Sequence, residues 1–233
     1  FFARNPLTFG AAYRLGYETN MDWAIPKDDS HINAFLLGLE TTNYFRVEGA
    51  EGYVAYSRGD LLDLRATYFE DDYESLKKHT NWSFFNHRHR KEDNPPLGPG
   101  CEGTIAGWRF TAGLHAETMF SDFDVSLAAE TTDDRHADSL PPYTRYLGSV
   151  THTSRLPHMG FTVIRLAGGY SDDILPDQKA FRLGGLNTLR GFDPGSVSSP
   201  DAITDGFAWH GGGNRMALAN IDYYLGDPDD VGL

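Results

Sequence analysis

Residues 105–117 read IAGWRFTAGLHAE, and taking alternate positions separates two kinds of residue. Ala106, Trp108, Phe110, Ala112, Leu114 and Ala116 fall on one side, while Gly107, Arg109, Thr111, Gly113, His115 and Glu117 fall on the other. Successive side chains of a strand point to opposite faces, so this period of two predicts a β-strand with one apolar and one polar face. A helix would scatter the same residues around its circumference. The pattern recurs in 7–18, where Leu7, Phe9, Ala11, Tyr13, Leu15 and Tyr17 oppose Thr8, Gly10, Ala12, Arg14, Gly16 and Glu18. In 123–130, Phe123, Val125, Leu127 and Ala129 oppose Asp124, Ser126, Ala128 and Glu130. Segments 62–68 and 217–225 behave alike, the latter with Asn220 and Asp222 on its polar side. Weaker versions occupy 32–41, 46–57, 144–153 and 160–170.

Alternation also fits a soluble sandwich or a lipocalin-like barrel with an apolar interior. The polar face favours another reading, because it carries full charges in mid-strand (Arg14, Asp63, Arg65, Arg109, Asp124) beside small residues, as a water-filled lumen permits. Aromatic residues such as Tyr17, Tyr68, Phe123 and Tyr223 stand towards strand ends, where a membrane-interface girdle would place them. The expected fold class is therefore all-β, a transmembrane antiparallel β-barrel. Outer-membrane barrels alternate short turns with long loops. Here Met119 to Asp122 and Arg155 to His158 are short, while Thr132 to Pro142 and Asp172 to Gly213 are long. Extending this alternation upstream requires a short turn at Asp71 to Ser75 and a further strand over 76–87. The total becomes about ten strands in a single barrel domain over 1–233, an incomplete barrel, since lipid cannot satisfy an open sheet's backbone.

Composition narrows the chemistry. The 12 Tyr, 15 Phe and 25 Gly suit many strands joined by tight turns. The formal net charge of -13 is gathered in pairs such as Asp28-Asp29, Asp71-Asp72 and Asp133-Asp134, which argues against nucleic acid as a partner. The cationic run HRHRK at 87–91 reads as a solvated loop. Cys101 is the single cysteine, so no internal disulfide forms. No apolar run approaches the ~18 residues of a membrane helix. The chain begins at Phe1 without a charged and apolar leader, from which a cut or processed N-terminus is expected. His87 and His89 lack a carboxylate or cysteine at ligand spacing, and Gly148-Ser149 lacks the second glycine of a nucleophile elbow. Gly211 to Arg215 lacks the ending of a phosphate-binding loop. Neither a catalytic centre, a metal site nor a cofactor is expected.

Residues 181–192 read FRLGGLNTLRGF and are followed by a Gly-rich stretch and then by GNRMALANIDYYL at 213–225. This run resembles the LGG…(V/L)RG(F/Y) signature of the outer-membrane protein assembly factor and bacterial surface antigen superfamily, the BamA/TamA-like barrels and two-partner secretion translocators. The likeness carries motif-level detail over 159–225 and is architectural elsewhere. It implies a sixteen-stranded barrel of which this chain holds roughly strands three to twelve, with the 172–213 loop folded back into the lumen and periplasmic modules in the full-length chain. It implies the bacterial outer membrane as location, membrane lipid and unfolded outer-membrane or secreted polypeptides as partners, and protein insertion or translocation as function. A passive porin-like or ligand-transport barrel, and the membrane anchor of a lipase-like enzyme, are the alternatives. The motif residues are Gly184, Gly185, Leu189, Arg190, Gly191 and Phe192. The glycines allow positive φ and close approach to a wall, Arg190 offers a planar, permanently charged fork, and Phe192 supplies an apolar anchor. The resemblance implies an acidic partner for Arg190 on an inner strand after the loop, expected beyond Leu233. Asp222, Asp124 and Glu130 are the candidates within the chain.

Overall fold

The computed structural model describes residues 6–19, 44–77, 96–98, 101–133, 141–156, 160–185, 188–192, 197 and 212–225. These hold eight strands: β1 (Leu7–Glu18), β2 (Phe45–Arg58), β3 (Leu62–Ser75), β4 (Gly103–Thr118), β5 (Ser121–Thr132), β6 (Thr144–Leu156), β7 (Gly160–Ser171) and β8 (Arg215–Tyr224). They form one sheet in the order β1-β2-β3-β4-β5-β6-β7-β8, each strand antiparallel to the next. Among the described residues there is no helix, and the all-β expectation holds. The sheet is not closed into a barrel: β1 and β8 are its two edges, with no pairing between them among the described residues.

Eight of the ten segments expected as strands are strands among the described residues. Segment 32–41 and residues 78–87 lie outside the described residues, and Leu76 and Lys77 stand beyond the end of β3. Asp71 to Ser75 do not form a turn, since they continue β3 and pair with β2 through Asp71↔Gly49 and Ser75↔Phe45. Eight strands satisfy the alternation of connections without the additions. Residues 59–61, 119–120 and 157–159 are short links at one end of the sheet, and 19–44, 76–102, 133–143 and 172–214 are long links at the other.

The cause of the misplaced turn is a reversal in the pattern itself. From Leu62 to Tyr68 the even-numbered residues of β3 are apolar and lie on the exposed face, but beyond it Glu70, Asp72 and Glu74 occupy that face. Phe69 and Tyr73, on the opposite face, are fully buried. β2 reverses in the same way, with Phe45 and Val47 buried on one face and Val54 and Tyr56 on the other. The strands therefore run past the apolar band into a zone where the same face is wet, and a period of two read in a single phase stops there. The core lies in this zone, on the polar face. Phe45, Val47, Phe69, Tyr73 and Ile105 come from β2, β3 and β4, and Leu97, Tyr143, Leu175, Ala180 and Phe181 come from the long connections.

Large apolar side chains are exposed on one face, and several carboxylates are buried on the other. Phe9, Tyr13, Leu15, Phe110, Leu127, Ile221 and Tyr223 are exposed. Asp71, Glu130 and Asp222, on the polar face, are buried. Antiparallel register sets the apolar residues in continuous rows, such as Leu7↔Tyr56, Tyr56↔Leu64, Leu64↔Ala112 and Ala112↔Leu127. A shallow apolar depression of about 870 Å³ follows two of these rows between Leu64, Phe110, Leu127 and Tyr146.

Candidate functional site: the polar face and its fold-back segment

Charges placed on one face by alternate strand positions can meet only along rows or across diagonals, and here several are paired in this way. Arg14 on β1 reaches across β2 to the fully buried Asp71 on β3, donating from Nε at 3.0 Å and again from its terminal nitrogen. Arg109 on β4 donates from Nε to Glu130 Oε2 on β5 at 2.8 Å. Arg165 on β7 is 2.8 Å from Asp222 Oδ2 on β8. Desolvating each of these carboxylates is costly, and only a charged partner with further hydrogen bonds offsets it.

Residues 175–183 of the connection after β7 lie over this face. Lys179 is buried, with Nζ 3.1 Å from Glu130 Oε1, 5.4 Å from the Tyr73 ring centre and 5.8 Å from that of Phe69. The Tyr143 hydroxyl donates to the same Glu130 oxygen at 2.5 Å, and Arg145 donates to the Lys179 carbonyl at 2.6 Å. Burial holds the Lys179 ammonium below its ordinary pKa; Glu130 opposes this, and the neighbouring Arg109 and Arg145 add to it. Burial likewise lowers Arg182, against the pull of Asp177. Gly98 N–H donates to Asp177 at 2.8 Å and Gln178 donates to the Cys101 carbonyl at 2.9 Å, so the segment is also tied to the connection between β3 and β4. Phe181 pairs with Gly213 and lies against Gly169 of β7.

Of the motif residues, Gly184, Gly185 and Gly191 all have positive φ (123°, 94° and 91°), the conformations that a Cβ disfavours. The Thr188 hydroxyl is 2.7 Å from both the N–H and the carbonyl of Gly184, and Gly185 N–H donates to the Phe192 carbonyl at 2.9 Å. Leu189 is half-buried. The motif is thus a compact turn carrying Arg190 at its tip.

Arg190 donates to Asp222 Oδ1, the oxygen that Arg165 leaves open. That hydrogen bond raises the guanidinium's pKa further above its ordinary value. Asn220, on the same face of β8, donates to the Thr188 carbonyl at 2.8 Å. Among the three candidate partners within the chain, the structure brings Asp222 to Arg190. Glu130 serves Arg109, Lys179 and Tyr143, and Asp124 pairs with His115 Nδ1 at 2.6 Å near the short-link end. Phe192 is not the expected apolar anchor, since it is 58% exposed. Its carbonyl, rather than its ring, joins the turn. Lys179 and Tyr143 escape sequence reasoning, because both lie in aperiodic connections where nothing indicates which face they cover.

No family model matches the chain, and no curated protein matches it. The functional reading therefore rests on the residues.

The seating of the segment makes one prediction directly. A Cβ on Gly169 would stand 2.5 Å from the Phe181 ring, so Gly169→Ala should overpack the contact by about 1–3 kcal/mol. Trypsin cleavage after Arg182 is expected to accelerate about tenfold, the effect of roughly 1.4 kcal/mol. Phe181→Ala in the same chain should bring the rate back towards that of Phe181→Ala alone. Equal cleavage of Gly169→Ala and the parent would show that the segment does not rest on β7.

Proposed function

We propose that this chain is part of an outer-membrane β-barrel of the assembly-factor and surface-antigen type, whose apolar face meets lipid and whose polar face lines a lumen. On this reading it acts in the insertion of outer-membrane proteins or the passage of polypeptide across that membrane, without catalysing a reaction. The observation that carries it is the inverted exposure: large apolar side chains such as Phe110 and Leu127 point to solvent in the bare fold, while the buried carboxylates lie on the other face. Water would penalise that arrangement across the whole sheet, whereas hydrocarbon rewards it. Aromatic residues at the long-link edge of the apolar band, Tyr68, Trp108, Tyr146 and Tyr170, suit the level of lipid headgroups. Beyond them the exposed Glu70 and Glu74 fit water again. The segment docked by Arg190 on Asp222 favours a gated polypeptide conduit over a passive porin.

The test uses single cysteines in a Cys101→Ser background of the full-length protein. Positions 110 and 127 on the apolar face and 63 and 124 on the polar face are all exposed in the bare fold. After reconstitution into vesicles, a water-soluble maleimide should react at 63 and 124 and fail at 110 and 127. Reaction at all four would remove the membrane reading. Where the topology holds, vesicles carrying the protein should fold an added unfolded barrel protein faster than empty vesicles. Equal rates would leave a membrane barrel without the proposed activity.

A further inference from the structure

We propose that the β6–β8 end of the apolar depression binds one phospholipid with a phosphoethanolamine headgroup. Arg215 takes its phosphate, Asp172 its ammonium, and a floor of glycines one acyl chain. The site rests on the reading that the apolar face meets lipid. Register stacks two rows of that face here. The row at the long-link edge runs Tyr146↔Tyr170↔Arg215, and the row next to it runs Leu127↔Gly148↔Gly168↔Ala217. Over β6, β7 and β8 the second row therefore carries nothing larger than a methyl group, beside two exposed tyrosines. The depression of about 870 Å³ passes over Gly148 and Gly168 and reaches Tyr170. Neither glycine has a positive φ, so backbone conformation does not require them. A Cβ on Gly168 would meet nothing nearer than 3.9 Å, so packing within the sheet does not require that glycine either. A glycine in a strand weakens it, and one that neither conformation nor packing demands marks a place where something else comes close to the backbone.

The rim of this floor says what comes close. Arg215 and Asp172 stand there with side chains 71% and 74% exposed. The Arg215 guanidinium lies over the Tyr170 ring, 5.0 Å from its centre, an arrangement that leaves the donors at its edge directed outwards. Its Nη2 is 3.7 Å from Asp172 Oδ1, beyond hydrogen-bond distance, and the Tyr170 hydroxyl donates to that same oxygen. Tyr170 thus holds a cation and an anion side by side without joining them. A phosphate fits the planar fork of the arginine. A purely anionic headgroup would also meet Asp172 as a like charge, whereas phosphoethanolamine places its ammonium beside its phosphate and complements both side chains. Below the headgroup, the acyl chain continues over Gly168 and Gly148, where the lining is apolar.

Native mass spectrometry of the full-length protein, released from micelles doped with dioleoyl phosphatidylethanolamine or dioleoyl phosphatidylglycerol, tests the site. The parent should retain one phosphatidylethanolamine about fivefold more tightly, because phosphatidylglycerol brings the phosphate without the amine. Arg215→Gln should weaken both lipids about tenfold, and Arg215→Lys should recover part of that loss, since an ammonium still faces the phosphate. Asp172→Asn should weaken phosphatidylethanolamine alone and erase the preference. Gly168→Leu, which fills the space over the floor, should weaken both lipids about tenfold. Arg215 and Asp172 are exposed, so their variants keep the parent's fold even if Gly168→Leu does not. Equal retention of the two lipids by the parent, or retention unchanged by Arg215→Gln, would mean unspecific lipid around the sheet and overturn the site. If that result comes while cysteines at 110 and 127 stay protected in vesicles, the membrane reading stands without the site. If those cysteines react, the membrane reading falls and the site falls with it.

Discussion

Leu127→Arg is expected to destabilise the protein in bilayers, with the equilibrium constant for folding in vesicles falling by a factor of about thirty or more. Leu127 sits on β5 in the middle of the apolar band, 54% exposed, between Ala112 of β4 and Gly148 of β6. An arginine on the lipid face of a barrel costs about 2–4 kcal/mol near the bilayer midplane. The same substitution at an exposed site in water is usually worth within about ±0.5 kcal/mol. The two environments thus predict folding equilibrium constants that differ by about tenfold or more, measured by urea titration in vesicles. Ser126→Arg, the adjacent position on the polar face, is the control and should fold nearly as the parent does. If Leu127→Arg and Ser126→Arg fold equally well, the apolar face does not meet hydrocarbon.

Glu130→Ala should have the second large effect, and through a different cause. This carboxylate is shared by Arg109 at 2.8 Å, Lys179 at 3.1 Å and the Tyr143 hydroxyl at 2.5 Å, with Glu130, Lys179 and Tyr143 buried and Arg109 partly exposed. Its removal leaves the buried Lys179 and the partly buried Arg109 without their shared anion, at a cost of about 3–5 kcal/mol. Glu130→Gln should cost less, because an amide oxygen still accepts from Arg109 and Tyr143. Replacing the group as a unit, with Arg109→Met, Glu130→Leu and Lys179→Met together, should recover much of the loss, as happens when a buried ion cluster gives way to packed apolar residues. Midpoints of urea unfolding rank the variants. A Glu130→Ala protein as stable as the parent would mean that the cluster is hydrated and contributes little.

How far the fold was legible depended on whether one phase of the alternation ran the length of a strand. In β1 and β5 it does, and in β4 from Ala106 onward, and the faces assigned to Phe9, Trp108, Phe110 and Leu127 are those of the structure. In β3 the phase reverses after Tyr68, which truncated the strand, turned Asp71 to Ser75 into a false link and demanded a compensating strand over 76–87. The parity of β8 placed Asp222 correctly on the polar face, but parity could not choose among Asp222, Asp124 and Glu130. That choice needs the path of the connection. Lys179 was invisible for the same reason: its partner is reached through a fold-back that no local pattern encodes. Phe192 was misjudged because an aromatic beside an arginine suggests an anchor, whereas the turn uses its backbone.

The reversal at Tyr68–Phe69 gives this sheet an arithmetic of its own for insertions and deletions. Removing one residue between Leu64 and Tyr68 would slip everything on one side of the cut to the opposite face, because the side-chain period is two. Either Leu62 and Leu64 would turn to the polar side, or Phe69, Asp71 and Tyr73 would exchange with Glu70, Asp72 and Glu74. Removing two residues would keep every face and shorten the strand by roughly 7 Å. Length changes in natural variants of this chain should accordingly be even-numbered inside the strands and free of parity in the long links between them.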